Sequence, residues 1–258
     1  MQTDHPFKVV IPARYQSTRF PGKPLKKING REMVLHVYEK AMQSAAEEVL
    51  IATDDERIFN VAESAGAKVC LTSTGHATGT DRLVEVVSKQ AWPADSVIVN
   101  VQGDEPLIPV ACIEQVAGNL IENTAAVMAT LATPISLLEE FEDPNVVKVV
   151  FNNRGLAMYF SRSGIPHYRD GGFAVSCQSY RHIGIYAYRA GYLRGYPSLP
   201  SCDIEDTEKL EQLRVIHNGD LIHVDIATEL PGPGVDTPAQ LAQVESIMNA
   251  NATDAGGS

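Results

Sequence analysis

The sequence predicts an α/β fold: a mostly parallel central sheet with helices on both faces, plus an antiparallel excursion near 145–200. Three observations predict it. The first half of the 258-residue chain alternates short apolar runs with amphipathic stripes of helical spacing. The apolar runs are continuous rather than alternating, as in strands buried on both faces. From about Pro144 the texture changes to strand-like runs separated by Gly-rich and polar turns.

In chain order, a strand is expected at 9–11. A helix follows in which Val34, Val37, Tyr38, Ala41 and Ala45 repeat at three and four residues. The next strand is expected at 49–53, then a helix with Ile58, Val61, Ala62 and Ala65, closed by Gly66. Strands at 68–71, 97–101 and 127–131 alternate with the stripes Leu83, Val86, Val87 and Ile113, Val116, Ala117, Leu120. The excursion contains strands at 146–151, 157–160 and 183–188, the turn Asn152-Asn-Arg-Gly155 and a mobile loop over 170–178. One helix is expected over 204–217, with Leu210, Leu213 and Ile216 on one face and Asn218-Gly219 as its stop. A last strand at 221–227 leads through Pro231-Gly-Pro-Gly234 to a helix start at Thr237-Pro-Ala-Gln240. No repeat and no composition break divides the chain. A single domain is expected over 1–248, with a small, polar, disordered tail at 249–258.

Composition narrows the function. The net charge of −11 argues against nucleic acid or an anionic membrane as partner. No apolar stretch reaches the roughly 20 residues of a membrane helix. Met1-Gln-Thr-Asp-His-Pro6 has neither a basic nor an apolar leader region, and Cys70, Cys112, Cys177 and Cys202 show no zinc spacing. Reduced thiols and a cytoplasmic location are therefore expected.

Against that acidic background, one loop is cationic. Ile11-Pro-Ala-Arg-Tyr-Gln-Ser-Thr-Arg-Phe-Pro-Gly-Lys-Pro24 places Arg14, Arg19 and Lys23 beside Ser17 and Thr18, directly after the first strand. Such a loop suits a polyphosphate, which takes cations, hydroxyls and free backbone N–H groups at a strand's carboxyl end. Pro24 after Gly22-Lys23 excludes a P-loop, and no GxGxxG is present. Asn100-Val-Gln-Gly-Asp-Glu-Pro106 puts Asp104 and Glu105 at another carboxyl edge, where Asp104 is the better candidate for a magnesium ligand. Asp236, in Val235-Asp-Thr-Pro238, reads first as a helix cap; it gains interest only if it meets Asp104. Gly75-His-Ala-Thr-Gly-Thr-Asp-Arg82 opens a helix, and a cation in a first turn calls for an anionic partner. Arg162, Arg169, Arg181, His182 and Tyr186, with Glu205, Glu208, Glu211 and Gln212, suit a polyhydroxylated acid. The same charges also suit an exposed helix face.

In this order the segments resemble the CMP-Kdo synthetase (3-deoxy-manno-octulosonate cytidylyltransferase) family, over about Phe7 to Met248. The resemblance rests on Pro12-Ala-Arg-x-x-Ser-Thr-Arg-x-Pro-Gly-Lys23, Ala52-Thr-Asp54, Gly79-Thr-Asp-Arg82, Asn100-Val-Gln-Gly-Asp-Glu-Pro106, Phe160-Ser-Arg162, Arg181-His182, Leu210-Glu-Gln-Leu-Arg214 and Gly234-Val-Asp-Thr-Pro238. It implies a nucleotide-diphospho-sugar transferase-like fold, a homodimer formed through the excursion, and Mg2+-dependent transfer of CMP from CTP to Kdo for lipopolysaccharide assembly. A related 2-keto sugar acid (8-amino-Kdo or a nonulosonate) stays open as substrate, and a non-catalytic nucleotide-binding module is the remote alternative. The resemblance further implies a nucleotide site of Pro12, Ala13, Arg14, Ser17, Arg19, Lys23, Arg82 and Gln102, with Lys23, Arg19 and Asp104 catalytic. It implies metal ligands Asp104 and Asp236, and a sugar-acid pocket of Arg162, His182, Tyr186, Glu211 and Gln212. Gly164 stands where the family has a bulkier residue, which is expected to loosen the sugar side.

Overall fold

The computed structural model describes residues 6–16, 20–76, 78–169, 173 and 179–255. The first half runs β1 (Phe7–Ala13), a small hairpin β2 (Lys27–Ile28) and β3 (Arg31–Glu32), then α1 (Met33–Met42), β4 (Glu48–Thr53), α2 (Glu56–Ser64), β5 (Val69–Leu71), α3 (Gly79–Gln90), β6 (Val97–Asn100), α4 (Val110–Glu122) and β7 (Met128–Pro134). The second half runs α5 (Leu138–Glu142), β8 (Lys148–Phe151), β9 (Ala157–Ser161), β10 (Tyr180–Arg189), α6 (Ala190–Gly195), α7 (Asp203–Glu208), α8 (Gln212–His217), β11 (Ile222–Ile226) and α9 (Pro238–Ala255).

The sheet has the order β11-β7-β10-β6-β1-β4-β5. Every strand on this path is parallel to the rest except β10, which is antiparallel to both β6 and β7. Strands β8 and β9 hang from β10 as the antiparallel excursion. The chain leaves β1 toward β4 and β5, then crosses back to place β6 on the other side of β1. The strand order therefore reverses between β1 and β6, and crevices for ligands open at such reversals.

Both faces of β1 are covered. Val9 and Ile11 pack with Val34, Val37 and Ile113 of α1 and α4. Val10 packs with Leu83 and Val86 of α3 and Leu193 of α6 on the other face. Each such fully buried aliphatic side chain contributes about 1.5–3 kcal/mol. A third cluster of Phe20, Ile28, Met33, Val235 and Val244 seats α9 against the amino-terminal loop. Parts of the chain distant in sequence are thus brought to one edge of the sheet.

The expected strands and the four expected helices of the first half are present. The helix expected over 204–217 is instead two short helices, because Lys209 adopts φ 54 and ends α7. Helical backbone also continues through 249 to Ala255, where a disordered tail was expected; Ala250, Ala252 and Ala255 favour helix in a stretch free of glycine and proline. The expected mobile loop at 170–178 lies, except for Phe173, outside the described residues. Among the described residues, no helix is long and apolar enough to cross a membrane.

At the strand reversal the β6–α4 turn lies directly on the end of β1. A Cβ built at Gly103 would stand 2.8 Å from the Pro12 carbonyl oxygen, a backbone atom with no side-chain freedom to yield. Gly103→Ala is therefore expected to cost about 1–3 kcal/mol of stability. A lowered urea midpoint with unchanged slope checks this; an unchanged midpoint would show that the two loops are not in backbone contact.

Candidate functional site

The cationic loop is shaped by its own backbone. Gly22 donates its N–H to the Tyr15 carbonyl at 2.9 Å and adopts φ 68, closing the loop. Pro24 then sits in the first turn of a short 3-10 helix, Lys23–Leu25, where its missing N–H costs nothing. This sets the direction of Lys23. Its ammonium donates to Asp104 Oδ2 at 2.5 Å and to Asp236 Oδ1 at 2.9 Å. The Lys23 side chain is 13% exposed, against 32% for Asp104 and 46% for Asp236. Burial works against its charge, but the two carboxylates outweigh burial and hold its pKa above the usual lysine value. Ser17 and Arg19, expected in this loop, lie outside the described residues.

The two acids arrive by different routes. Asp104 stands in the turn after β6, and its carbonyl accepts the N–H of Val235 at 2.9 Å, tying that turn to the segment before α9. Asp236 does not cap α9. Thr237 does, with Oγ1 accepting the N–H of Gln240, while the Gln240 side chain accepts the N–H of Asp236 at 2.8 Å. The Asp236 carboxylate is thereby turned toward Lys23. Beside them, burial first and then Asp104 and Asp236 push the Glu105 carboxyl up to about 8, so it is mainly protonated at neutral pH.

The donor set fits a divalent cation. Two hard carboxylates already converge on one positive centre, the Lys23 ammonium. Among the described residues no cluster of three or more His, Cys, Asp or Glu could hold a metal alone. That combination suits an ion that takes its remaining oxygens from water and ligand phosphates.

A cavity of about 440 Å³ lies over this cluster, lined by Pro12, Ala13, Arg14, Lys23, Asp104 and Asp236 among others. A second, of about 350 Å³, shares Arg14, Gly79 and Gln102 with the first, and its walls include His182, Tyr186, Glu211 and Gln212. The break in the expected helix carries the last two there: Lys209 ends α7, and Glu211 and Gln212 start α8 facing the cavity. Burial raises the Glu211 pKa, opposed by hydrogen bonds from the Thr80 and Thr78 hydroxyls. The capping box formed by Thr78 and Asp81 fixes that end of α3.

On the sheet side, a register shift between Ile183 and Tyr186 bulges β10, and bulges re-aim side chains beside sites. Thr130 Oγ1 lies 2.7 Å from the Ile185 carbonyl and 2.9 Å from His182 Nε2. With the hydroxyl donating to the carbonyl, His182 Nε2–H donates to the hydroxyl, leaving Nδ1 as an acceptor. Burial pushes the His182 pKa down to about 3, so the ring is neutral.

Three expected features stand elsewhere in this structure. Arg162 does not line the sugar-side cavity. Its guanidinium is taken by the carbonyls of Glu208 at 2.7 Å and Pro144 at 3.1 Å. Arg82 does not reach the nucleotide-side cavity; it is wholly buried, donating to Asp54 Oδ2 at 2.8 Å and to Thr72. Asp54 is the anionic partner that its place in a first helical turn called for. Gly164 loosens nothing on the sugar side, because the missing side chain makes room for the Phe141 ring. Residues that sequence reasoning passed over are Thr130, which braces the bulge, and Asn100 on the wall of the second cavity. Nothing in the local sequence signals Thr130; Asn100 ends an otherwise apolar strand and so carries a signal.

Comparison with known proteins gives concordant results. A profile described as cytidylyltransferase matches residues 8–226. The 3-deoxy-manno-octulosonate cytidylyltransferase of Vibrio parahaemolyticus serotype O3:K6 is 54% identical, over 94% of this chain and 98% of its own length. That of Nitrosococcus oceani is 50% identical, over 94% of this chain and 96% of its own. The solved structure of a CMP:2-keto-3-deoxy-manno-octonic acid synthetase complexed with CTP is 44% identical. It superposes with a TM-score of 0.89, covering 96% of this chain and 100% of that one.

The neutral His182 has a measurable consequence. An unfolded histidine titrates near 6.5 and this one near 3, so between those values the unfolded chain binds the extra proton. Stability from this residue is complete above about pH 6.5 and declines as pH falls toward 3. Urea unfolding at about pH 7.5 and about pH 5 should show a smaller loss on acidification in His182→Asn than in the parent protein. Equal losses would mean the ring is protonated in the folded state.

Proposed function

The chain belongs to the cytidylyltransferase family, and from that premise we propose that it couples CTP to 3-deoxy-D-manno-octulosonate, giving CMP-Kdo and pyrophosphate for lipopolysaccharide assembly. The carrying observation is the pair of adjoining cavities. One is built on Lys23, Asp104 and Asp236; the other is lined by hydroxyl-reading groups; Arg14 and Gln102 lie on the wall common to both.

In this reading the triphosphate occupies the first cavity, with Arg14 and Lys23 supplying charge-assisted hydrogen bonds to its oxygens. Arg19 and Ser17 belong to the same loop and are assigned to the same ligand. The sugar acid occupies the second cavity, where neutral His182, Tyr186, Glu211 and Gln212 present donors and acceptors to its hydroxyls. Its anomeric hydroxyl attacks the α-phosphorus and pyrophosphate leaves in line. Lys23 stabilises the negative charge that builds on the leaving group. A divalent cation, which we assign as Mg2+ held by Asp104 and Asp236, supplies neutralisation of phosphate charge when bound. Glu105 keeps its proton while the site is empty, which limits the repulsion among three neighbouring acids. We assign the enzyme to the cytoplasm and to a homodimer formed through the excursion. The exposed Leu137, Leu138 and Met158 on and beside that excursion support self-association.

Pyrophosphate release with CTP, UTP or ATP against a panel of 2-keto sugar acids tests the assignment. Turnover should be greatest with CTP and Kdo, and should vanish on chelation of divalent metal. A preference for an 8-amino-Kdo or a nonulosonate would move the substrate while keeping the chemistry. Asp104→Asn should lower kcat by about a hundredfold or more with its circular dichroism unchanged. Retained turnover in that folded variant removes Asp104 from the mechanism.

A further inference from the structure

One wall of the second cavity holds a polar group that the scheme above leaves idle. Asn100 is the last residue of β6, and its backbone neighbours are in register, Val10 on β1 and Tyr186 on β10. Its side chain projects to the same face as Ile98, which packs in the core on that side of the sheet. An apolar residue would continue the pattern. The amide is 2% exposed, lines the cavity of about 350 Å³, and among the described residues its Oδ1 has no hydrogen-bond partner. A buried amide oxygen without a partner is costly to the free protein. The cost is understandable where a ligand makes the missing bond.

We propose that Asn100 is a sugar-reading residue, its amide oxygen accepting a hydrogen bond from a hydroxyl of the 2-keto sugar acid. The inference rests on the assignment of the second cavity to the sugar acid. Three features favour a polyol over the nucleotide's phosphates as the partner. An amide oxygen accepts and cannot donate, so it repels phosphate oxygens and suits hydroxyl donors. Most polar groups sharing its cavity, Gln102, His182, Tyr186, Glu211 and Gln212, pair with hydroxyls, with Arg14 and Lys209 as the cations on its wall. Lys23, Asp104 and Asp236 line the other cavity.

A structural amide and a sugar-reading amide predict opposite outcomes for Asn100→Leu, which keeps the branched shape and removes both polar atoms. If the oxygen waits for a hydroxyl, the variant melts at or above the parent temperature. Its KM for the sugar acid rises on the order of ten- to hundredfold, the cost of leaving that hydroxyl unpaired, while its KM for CTP stays within about twofold. Within a series of monodeoxy sugar acids, one analogue lacks the hydroxyl that Asn100 reads, and on it parent and variant should turn over alike. Asn100→Ala, which cannot overpack, should repeat the split between the two KM values. A sugar-acid KM unchanged in both folded variants overturns the inference. So does a fall in melting temperature accompanied by equal rises in both KM values, which marks a structural amide. If the parent protein turns over no 2-keto sugar acid at all, the functional assignment fails and this inference with it; normal parent turnover with indifferent variants sinks Asn100 alone.

Discussion

The ammonium of Lys23, held between Asp104 and Asp236, is the contact on which the arrangement of the cleft depends. It joins a loop after the first strand, a turn after β6 and the segment leading into the last helix. These segments also meet through the Val235–Asp104 backbone hydrogen bond and the cluster of Phe20, Ile28, Val235 and Val244, but only the ion pair joins all three through charge. Each partner is partly withdrawn from water, so removing one leaves like charges facing each other or a cation without an anion. The ion pair therefore specifies geometry more than it adds stability. It also presents the cleft's oxygens and its positive charge at one point, where a polyphosphate and its counter-ion need both.

The rest of the fold serves that convergence from below. Reversal of strand order brings the carboxyl ends of β1 and β6 together, and Gly103 lets their loops touch through backbone alone. Arg82 works one layer deeper. Joined to Asp54 after β4 and Thr72 after β5, it anchors the first turn of α3 to the sheet. That anchor steadies the helix start where Thr78 and Asp81 form their capping box. Through these contacts Arg82 ties the start of α3 to two neighbouring strand ends.

Most of the strand positions were legible because strands buried on both faces leave unbroken apolar runs that few alternatives explain. What stayed hidden depends on conformations that no residue pattern announces. Lys209 is a good helix former with helix-like neighbours, yet its left-handed backbone divides the segment and turns Glu211 and Gln212 inward. The contacts of Arg162 were equally hidden, because the sequence shows its charge but not the two carbonyls its guanidinium meets in this structure. Asp104 and Asp236 were legible as acids at loop positions, whereas their meeting on Lys23 depends on α9 packing against Phe20 and Ile28. The family resemblance supplied the pairing that spacing alone left open.

That late helix has a consequence for biosynthesis. Asp236 precedes α9, and the hydrophobic contacts that hold it come from Val235 and Val244. Chain synthesis delivers β1, β4, β5 and β6, and with them Lys23 and Asp104, long before Asp236 supplies the second anion. The cleft is thus closed only when the segment carrying Asp236 and α9 has been made and docked on the amino-terminal loop.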